Sequence, residues 1–215
     1  MIDQKSKIET RIQSSFGRVV GIDESGCSNF CGPAIVAGVV LPKHGVPFPV
    51  NDCKKLTAVQ LDKLYHQLIQ AVTYDYEVIS VTQCTKGLVR SEYDHIKKMC
   101  SRLKPDFVLL DYHSVPDKFH YPQWGVEGGD QRLWCVAAAS VIAKYLHDEI
   151  MIGLDKQFPE FNWKSNKGSI GRQLFDLTVQ YGFTPHHRKP WVYSMAKKMK
   201  VDLQTFTLYT KRKLQ

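Results

Sequence analysis

Three apolar segments of strand length lead into acidic residues, and this arrangement limits the folds open to the chain. The first segment ends in Asp23 and Glu24, the second ends in Asp111, and the third precedes Asp130. Strand ends of this kind can meet at one edge of a sheet, where α/β proteins usually place their sites. Carboxylates ~4 Å apart repel by up to ~4 kcal/mol at an effective dielectric of 20, so a cluster requires a divalent cation or a shared proton. The pattern is typical of a metal-dependent phosphoryl-transfer site.

The remaining apolar periodicity predicts an α/β protein. Strands are predicted at 19–22, 34–41, 74–81, 107–110 and 124–126, and helices at 58–73, 91–103 and 131 to about 158. Thr57 is expected to cap the first of these helices. The rest of the chain is expected to be helical and basic. One α/β domain with a C-terminal helical extension is the simplest fold for this order.

The length and composition favour one main domain. A chain of 215 residues can build one good core. We expect a polar arm or short helix at 1–16, one main domain at 17–190 and a basic helical tail at 191–215. The formal net charge of +8 favours polyanionic partners. No apolar run approaches the ~20 residues that cross a bilayer, and the N-terminus has no signal-peptide pattern.

The six cysteines argue against a zinc site or a redox dithiol. None of them forms a C-x-x-C pair. Reduced thiols in the cytoplasm or nucleus are the expected state, and we predict a cytoplasmic protein.

Each acid taken alone has an ordinary explanation. Asp111 could be a turn residue, Asp130 could cap the next helix, and Asp23 with Glu24 could be solvated acids. Adjacent strand residues point to opposite faces, so this pair can serve one site only where the strand ends, as Gly26 would allow. Recurrence at three strand ends is what favours a shared site.

Segments in the same order resemble the type 2 ribonucleases H. They are Gly21-Ile-Asp-Glu-Ser-Gly26, Gly32-Pro33, Asn51-Asp-Cys-Lys-Lys-Leu56, Val108-Leu-Leu-Asp111, Gly129-Asp130, Ala137-Ala-Ala-Ser-Val-Ile-Ala-Lys144, Asp148, Lys167-Gly168 and Tyr181-Gly182 to His187-Arg188. The resemblance implies a ribonuclease H-like mixed β-sheet flanked by helices, with residues 17–190 as the catalytic domain. It also implies a metal-dependent endoribonuclease that cuts the RNA strand of RNA/DNA hybrids, and ribonucleotides embedded in DNA, leaving 5′-phosphate and 3′-hydroxyl ends.

The resemblance also implies the site residues. The implied catalytic and metal-binding acids are Asp23, Glu24, Asp111 and Asp130. They would hold two Mg²⁺ or Mn²⁺ ions, which are hard cations that prefer oxygen ligands. Asp148 would be a further acid near the metal, with a salt-bridged helix surface residue as the alternative. The implied substrate contacts are Gly26, Cys27, Ser28, Lys54, Lys55, Lys167 and Arg188. For the two adjacent lysines the alternative is a solvated loop, and for Arg188 it is a structural corner.

The chain departs from the family pattern in two places. Where many members have Gly-Arg-Gly, it has Gly26-Cys27-Ser28, which with the following residues is closer to the type 3 branch. Ser169 stands where the family has a tyrosine associated with recognising an RNA-to-DNA junction. These differences concern which phosphodiester is cut and leave the metal chemistry intact.

Two other functions remain open at this point. A nucleic-acid-binding protein could keep the fold and lack turnover, and its binding would weaken steeply with salt. An unrelated phosphohydrolase for small molecules is disfavoured because the chain has no Gly-rich phosphate loop. The expected partner is an RNA/DNA hybrid or ribonucleotide-containing DNA bound by a monomer.

Overall fold

The computed structural model describes residues 6–43, 48–50, 53–116 and 119–210. Two motif residues of the sequence analysis, Asn51 and Asp52, and the end of the predicted tail at 211–215 lie outside this range. The chain divides into two compact units. The sheet unit comprises Met1–Ser25, Ile35–Val78 and Arg90–Leu146, and the helical unit comprises Gly26–Ala34, Ile79–Val89 and His147–Gln215.

Five strands and eight α-helices lie along the described chain, and every strand precedes the fourth α-helix. The strands are β1 (Val19–Ser25), β2 (Ala34–Val40), β3 (Tyr74–Ile79), β4 (Phe107–Asp111) and β5 (Gln123–Val126). The α-helices are α1 (Lys7–Phe16), α2 (Ala58–Ala71), α3 (Val81–Leu103), α4 (Gly129–Arg132), α5 (Trp134–Asp155), α6 (Trp163–Asn166), α7 (Arg172–Tyr181) and α8 (Lys189–Lys198). Short 3₁₀ turns lie at Cys53–Lys55, Pro159–Phe161 and Leu203–Thr205.

The five strands form one mixed sheet, as the resemblance implied, and their order is β3-β2-β1-β4-β5. β1 runs antiparallel to β2 and parallel to β4, and β4 runs parallel to β5. The register of β1 and β4 pairs Ile22 with Leu110. The residues that follow these two, Asp23 and Asp111, therefore lie side by side at the same edge of the sheet.

The start of α3 differs from the prediction. The predicted strand to Val81 is too long, because β3 ends at Ile79. The Ser80 hydroxyl accepts from Gln83 N, and the Gln83 side chain accepts from Ser80 N, which is a capping box. Helical structure therefore begins at Val81, ten residues before the predicted start at 91, and α3 is kinked at Gly87, whose φ of 161° and ψ of 79° are not helical. At α2, by contrast, the predicted cap is confirmed, since Thr57 makes the same reciprocal bonds with Gln60.

The predicted long helix from 131 is two helices. Leu133 has extended backbone, with φ −119° and ψ 124°, and separates α4 from α5. Its side chain is buried, and this burial stabilises the break between the helices. The first turn of α5 approaches the sheet closely. At Gly21 of β1, a Cβ atom would lie only 2.4 Å from the backbone carbon of Cys135.

The helical unit has its own aromatic core. Its buried members are Phe30, Cys31, Met151, Phe161, Trp163, Leu174, Phe175, Phe183, Val192 and Ala196. The predicted C-terminal helical part is present in α7 and α8. Within the described part of the predicted tail, α-helix extends only to Lys198 and a 3₁₀ turn follows at Leu203–Thr205. None of the described helices combines the length and apolarity that a membrane crossing needs.

Candidate metal centre

Three buried or half-buried carboxyl groups meet at one edge of the sheet unit. Asp23 from β1, Asp111 from β4 and Asp130 from α4 each offer one oxygen, and these oxygens lie within 4.8 Å of one another. Asp23 is 6% exposed and Asp130 is 3% exposed. The parallel register of β1 and β4 places the first two acids, and the turn after β5 supplies the third. The structure thus brings together three of the four acids predicted from the sequence to share a site.

Asp23 is held from its own strand and from α5. Its Oδ1 accepts from Glu24 N at 2.8 Å, and its carboxyl group hydrogen-bonds with the Ser140 side chain. Ser140 is 4% exposed, and its hydroxyl lies 3.2 Å from the Cys53 sulfur. Sequence reasoning missed Ser140 as a contact of the site. A polar residue within the apolar run of α5 was the available signal, because a buried hydroxyl needs a partner.

Asp111 and Asp130 are joined through the turn that begins α4. Asp111 Oδ1 accepts from Gly129 N at 2.6 Å. Gly128, with φ 65° and ψ 38°, takes the left-handed conformation that this turn requires. Lys54 Nζ lies 3.3 Å from Asp130 Oδ2 on the other side of the acid. Asp130 is therefore positioned by the turn, and its carboxyl group is paired with the Lys54 ammonium group.

The pKa values reflect buried acids crowded together. Burial and then the charge of Glu24 raise the pKa of Asp23 well above its ordinary value, against the lowering effect of Ser140. Burial and then Asp130 raise the pKa of Asp111, although the Gly129 N–H lowers it. Burial alone would lower the pKa of Lys54, but Asp130 outweighs this and the net shift is upward. Ionising several of these acids at once is therefore unfavourable unless additional positive charge is bound nearby.

Glu24 stands beside the three clustered acids. Burial and then the charge of Glu92 raise its pKa to about 7, while a hydrogen bond with Asp23 lowers it. Glu92 lies on α3, and its own pKa is raised by burial and then by the charge of Asp23. Sequence reasoning missed Glu92, since a single acid on an amphipathic helix carries no signal of its own. Glu24 contacts the centre through Asp23 without joining the three-oxygen cluster.

The donor set fits a hard divalent cation. Mg²⁺ and Ca²⁺ bind carboxylate oxygens at roughly 2.0–2.6 Å, so the ligand oxygens of one ion lie up to about 5 Å apart. The three clustered acids satisfy this separation and offer no sulfur or nitrogen ligand. A cation would also reverse the upward pKa shifts, because it favours the ionised form of each acid.

The glycine loop after β1 belongs to the helical unit and is built around a buried arginine. Arg188, fully buried, donates from Nη1 to the Cys27 carbonyl at 2.7 Å and from Nε to the Gly32 carbonyl at 3.0 Å. Its guanidinium therefore holds loop backbone, which favours the structural alternative over a direct phosphate contact. Gly26 has φ +82°, and Ser28 is exposed.

The other predicted contacts have more ordinary surroundings. Lys55 is exposed next to Lys54. Lys167 is half-buried with φ +53°, and its Nζ donates to the Lys164 carbonyl at 2.7 Å. Asp148 lies on α5 in the helical unit, with Oδ1 3.3 Å from His147 Nδ1. Substrate roles for the lysines and a metal role for Asp148 stay predictions.

Residues 20–197 match the family model described as Ribonuclease HII. This chain belongs to the ribonuclease HII family. A ribonuclease HII of Ruegeria sp. (strain TM1040) is 33% identical over 177 residues, which cover 81% of this chain and 77% of the relative. The predicted type 2 family is confirmed, and membership makes the chain an endoribonuclease of the ribonuclease H type.

Solved structures agree with the ribonuclease HII fold. Ribonuclease H2 from Pyrococcus horikoshii OT3 is similar with a TM-score of 0.71 and 20% identity, covering 86% of this chain and 100% of that one. Bst-RNase HIII in complex with Mn²⁺ is similar with a TM-score of 0.62 and 16% identity, and the match covers 76% of this chain and 61% of that one. At these identities the likeness concerns the fold, and the predicted ribonuclease H-like mixed sheet is confirmed.

Proposed function

We propose that this chain is a divalent-metal-dependent endoribonuclease that hydrolyses the RNA strand of RNA/DNA hybrids. The products would carry 5′-phosphate and 3′-hydroxyl ends. The observation that supports this most strongly is the cluster of three carboxyl oxygens within 4.8 Å of one another. A protein that only binds nucleic acid gains nothing from placing buried acids where phosphates approach, since like charges repel.

Asp23, Asp111 and Asp130 would hold two Mg²⁺ or Mn²⁺ ions, with Glu24 as the fourth acid. Bound at this place, the ions would activate a water and stabilise the leaving 3′-oxygen. The protein supplies the geometry: Ser140 and the Glu24 N–H orient Asp23, and the Gly129 N–H orients Asp111. No side chain is required as a covalent nucleophile.

Substrate recognition would combine contacts to backbone phosphates with contacts to the ribose 2′-hydroxyl. Lys54 and Lys55 are exposed on the 3₁₀ turn and are suited to backbone phosphates. The 2′-hydroxyl is the group that distinguishes RNA from DNA at a given position. Gly26, Cys27 and Ser28 remain the predicted contacts for it, together with Lys167. Arg188 would support this recognition by fixing the loop, and ribonucleotides embedded in DNA are a further predicted substrate.

We also propose a cytoplasmic monomer. All three clustered acids come from one chain, so no partner subunit is needed to complete the centre. None of the six cysteines, all within the described residues, forms a disulfide bond, which supports a reducing compartment. Light scattering of the purified protein tests the monomer, and a single species of about twice the 24.6 kDa chain mass would contradict it.

Cleavage of a uniform RNA/DNA hybrid tests the function. The RNA strand is labelled at its 5′ end and incubated with wild type or Asp23→Asn, in Mn²⁺, Mg²⁺ or EDTA. We expect cleavage by wild type in metal only, and a rate at least about a thousandfold lower for the variant. Cleavage that survives EDTA, or a variant as active as wild type, would contradict the proposal. A duplex with one embedded ribonucleotide, run in parallel, separates the two predicted substrates.

A further inference from the structure

The carboxyl group of Glu9 is completely buried, although it lies in the segment expected to be a polar arm. Glu9 is the third residue of α1. Its Oε2 accepts from Ser6 N at 2.7 Å, which closes the capping box of its own helix. Its Oε1 accepts from Cys135 N at 2.9 Å, and Cys135 is the second residue of α5. One carboxyl group therefore serves the N-terminal ends of two helices.

This arrangement gives Glu9 a reason to be buried. The first N–H groups of a helix have no partner within the helix, and a buried carboxyl group is costly without donors. The helix N–H groups supply donors to the carboxyl group, and the carboxyl group supplies an acceptor to them. The positive end of the α5 dipole also favours the contact. Glu9 also approaches the Cys135 thiol, whose pKa is raised by burial and then by Glu9.

Helix α1 is itself anchored on the sheet. Gln13 Nε2 donates to the Leu41 carbonyl at 2.8 Å, just beyond β2. The Phe16 ring lies 4.7 Å from the Phe107 ring on β4, measured between centroids. The position of Glu9 is thus set relative to two strands. Through its hydrogen bond with Cys135 N, Glu9 in turn fixes the first turn of α5.

The first turn of α5 is held from the β1 side as well. A Cβ atom at Gly21 would lie 2.5 Å from Val136 N and 2.6 Å from the Cys135 sulfur, so strand and helix are in direct contact. Gly21 is two residues before Asp23. The start of α5 is therefore fixed between Glu9 and the strand that carries the first acid.

The same turn of α5 lies between two parts of the metal centre. Before it, Leu133 N donates to the Gly129 carbonyl at 2.8 Å, next to Asp130 in the chain. After it, Ser140 is five residues beyond Cys135, ~7.5 Å along the helix axis, and hydrogen-bonds with Asp23. A shift of this turn would move Asp130 and the Ser140 hydroxyl together.

We propose that Glu9 is a positioning residue for the metal centre: by fixing the first turn of α5, it keeps Asp23 and Asp130 within reach of one cation. This inference rests on the proposed function. It assigns a role to a residue outside the segment matched by the family model, which begins at residue 20.

Glu9→Ala and Glu9→Gln test the proposal, with Arg102→Ala as the matched control. Arg102 also makes charged hydrogen bonds in the sheet unit, but its partners are Asp75 and Glu77. Mn²⁺ binding is measured by the electron paramagnetic resonance signal of free Mn²⁺ at a temperature where each protein is folded. Hydrogen exchange of a peptide covering residues 129–140 is measured on the same samples.

We expect Glu9→Ala to weaken Mn²⁺ binding about tenfold, the lower end for residues that orient ligands, and to speed exchange in that peptide. Glu9→Gln keeps an acceptor for Cys135 N–H, so its affinity should lie between those of wild type and Glu9→Ala; it replaces the alanine variant if that protein does not fold. Arg102→Ala should change neither quantity.

Unchanged Mn²⁺ affinity in the Glu9 variants overturns the inference, even if their thermal stability falls. An equal loss of affinity in Arg102→Ala overturns it too, because general destabilisation would then explain the effect. Failure of wild type itself to bind Mn²⁺ is a different result: it overturns the proposed function, and this inference with it.

Discussion

Lys54 Nζ lies 3.3 Å from Asp130 Oδ2, and the two side chains differ sharply in exposure, at 71% and 4%. The ammonium group therefore faces a buried acid from the solvent side. In that position it can balance negative charge at the centre and also contact a phosphate of an approaching strand.

Removing this ammonium group should impair catalysis more than removing its neighbour. We expect Lys54→Met to lower kcat/KM on a uniform hybrid by about tenfold, as for the loss of one charged transition-state contact of about 1.4 kcal/mol. Lys55→Met removes the same charge from the same turn and should cost clearly less. Steady-state kinetics at matched ionic strength measures both, and equal losses would mean that the Asp130 contact has no special role.

The Ser140 hydroxyl should affect metal binding through Asp23. Ser140→Ala removes the hydrogen bond that orients this acid, and we expect Mn²⁺ affinity to fall about tenfold. Cys53→Ala is the control, because it removes the other neighbour of Ser140 and leaves the bond to Asp23 in place. Isothermal titration with Mn²⁺ compares the two variants. A weaker affinity in Cys53→Ala than in Ser140→Ala would contradict the assignment.

The raised pKa of Glu24 predicts that the metal-free protein loses stability as pH rises. The pKa moves from 4.5 to about 7, so between these values the folded state binds more protons than the unfolded state. The free energy of unfolding should therefore fall between pH 4.5 and 7, with up to about 3 kcal/mol from this residue, and show no further loss from it above pH 7. Urea unfolding in EDTA measures this, and Glu24→Gln should flatten the decline. A Glu24→Gln profile parallel to wild type would contradict the prediction.

Arg188 should matter for stability far more than an exposed arginine does. Arg188→Met removes two hydrogen bonds from a charged donor to buried loop carbonyls, and we expect the free energy of unfolding to fall by about 3 kcal/mol. Arg172→Met is the comparison, since Arg172 pairs with Asp176 on the surface of α7 and should cost less than about 0.5 kcal/mol. Chemical denaturation monitored by circular dichroism gives both values. Similar losses in the two variants would refute the structural role of Arg188.

The sequence was sufficient to predict the strands and the acids at their ends. Apolar runs of strand length are a local signal, and the convergence of Asp23 with Asp111 follows once β1 and β4 are parallel neighbours. The prediction of one long helix from 131 was wrong because a single buried leucine, Leu133, interrupts it. That interruption depends on tertiary burial, which periodicity alone does not contain.

The supporting residues were harder to predict. Glu92 lies on a helix whose pattern is explained by packing alone, and Ser140 is distinguished only as a polar residue in an apolar run. Their interaction with Asp23 appears only when the helices are placed. Glu9 has a local signal, the capping box with Ser6, but nothing in the sequence connects it to Cys135. Arg188 lies in a recognised motif, and only its burial distinguishes a loop support from a phosphate contact.

The most direct test of the central claim is the rate of RNA-strand cleavage as a function of Mn²⁺ concentration, for wild type and Asp111→Asn. Asp111 belongs to the three-acid cluster and lies on the strand next to the one that carries Asp23. We predict a saturable rise in rate for wild type, with cuts that leave 3′-hydroxyl ends, and a rate at least about a thousandfold lower for the variant at every concentration. A wild type that cuts equally well without metal, or a variant that follows the wild-type curve, would contradict a metal centre built on these acids.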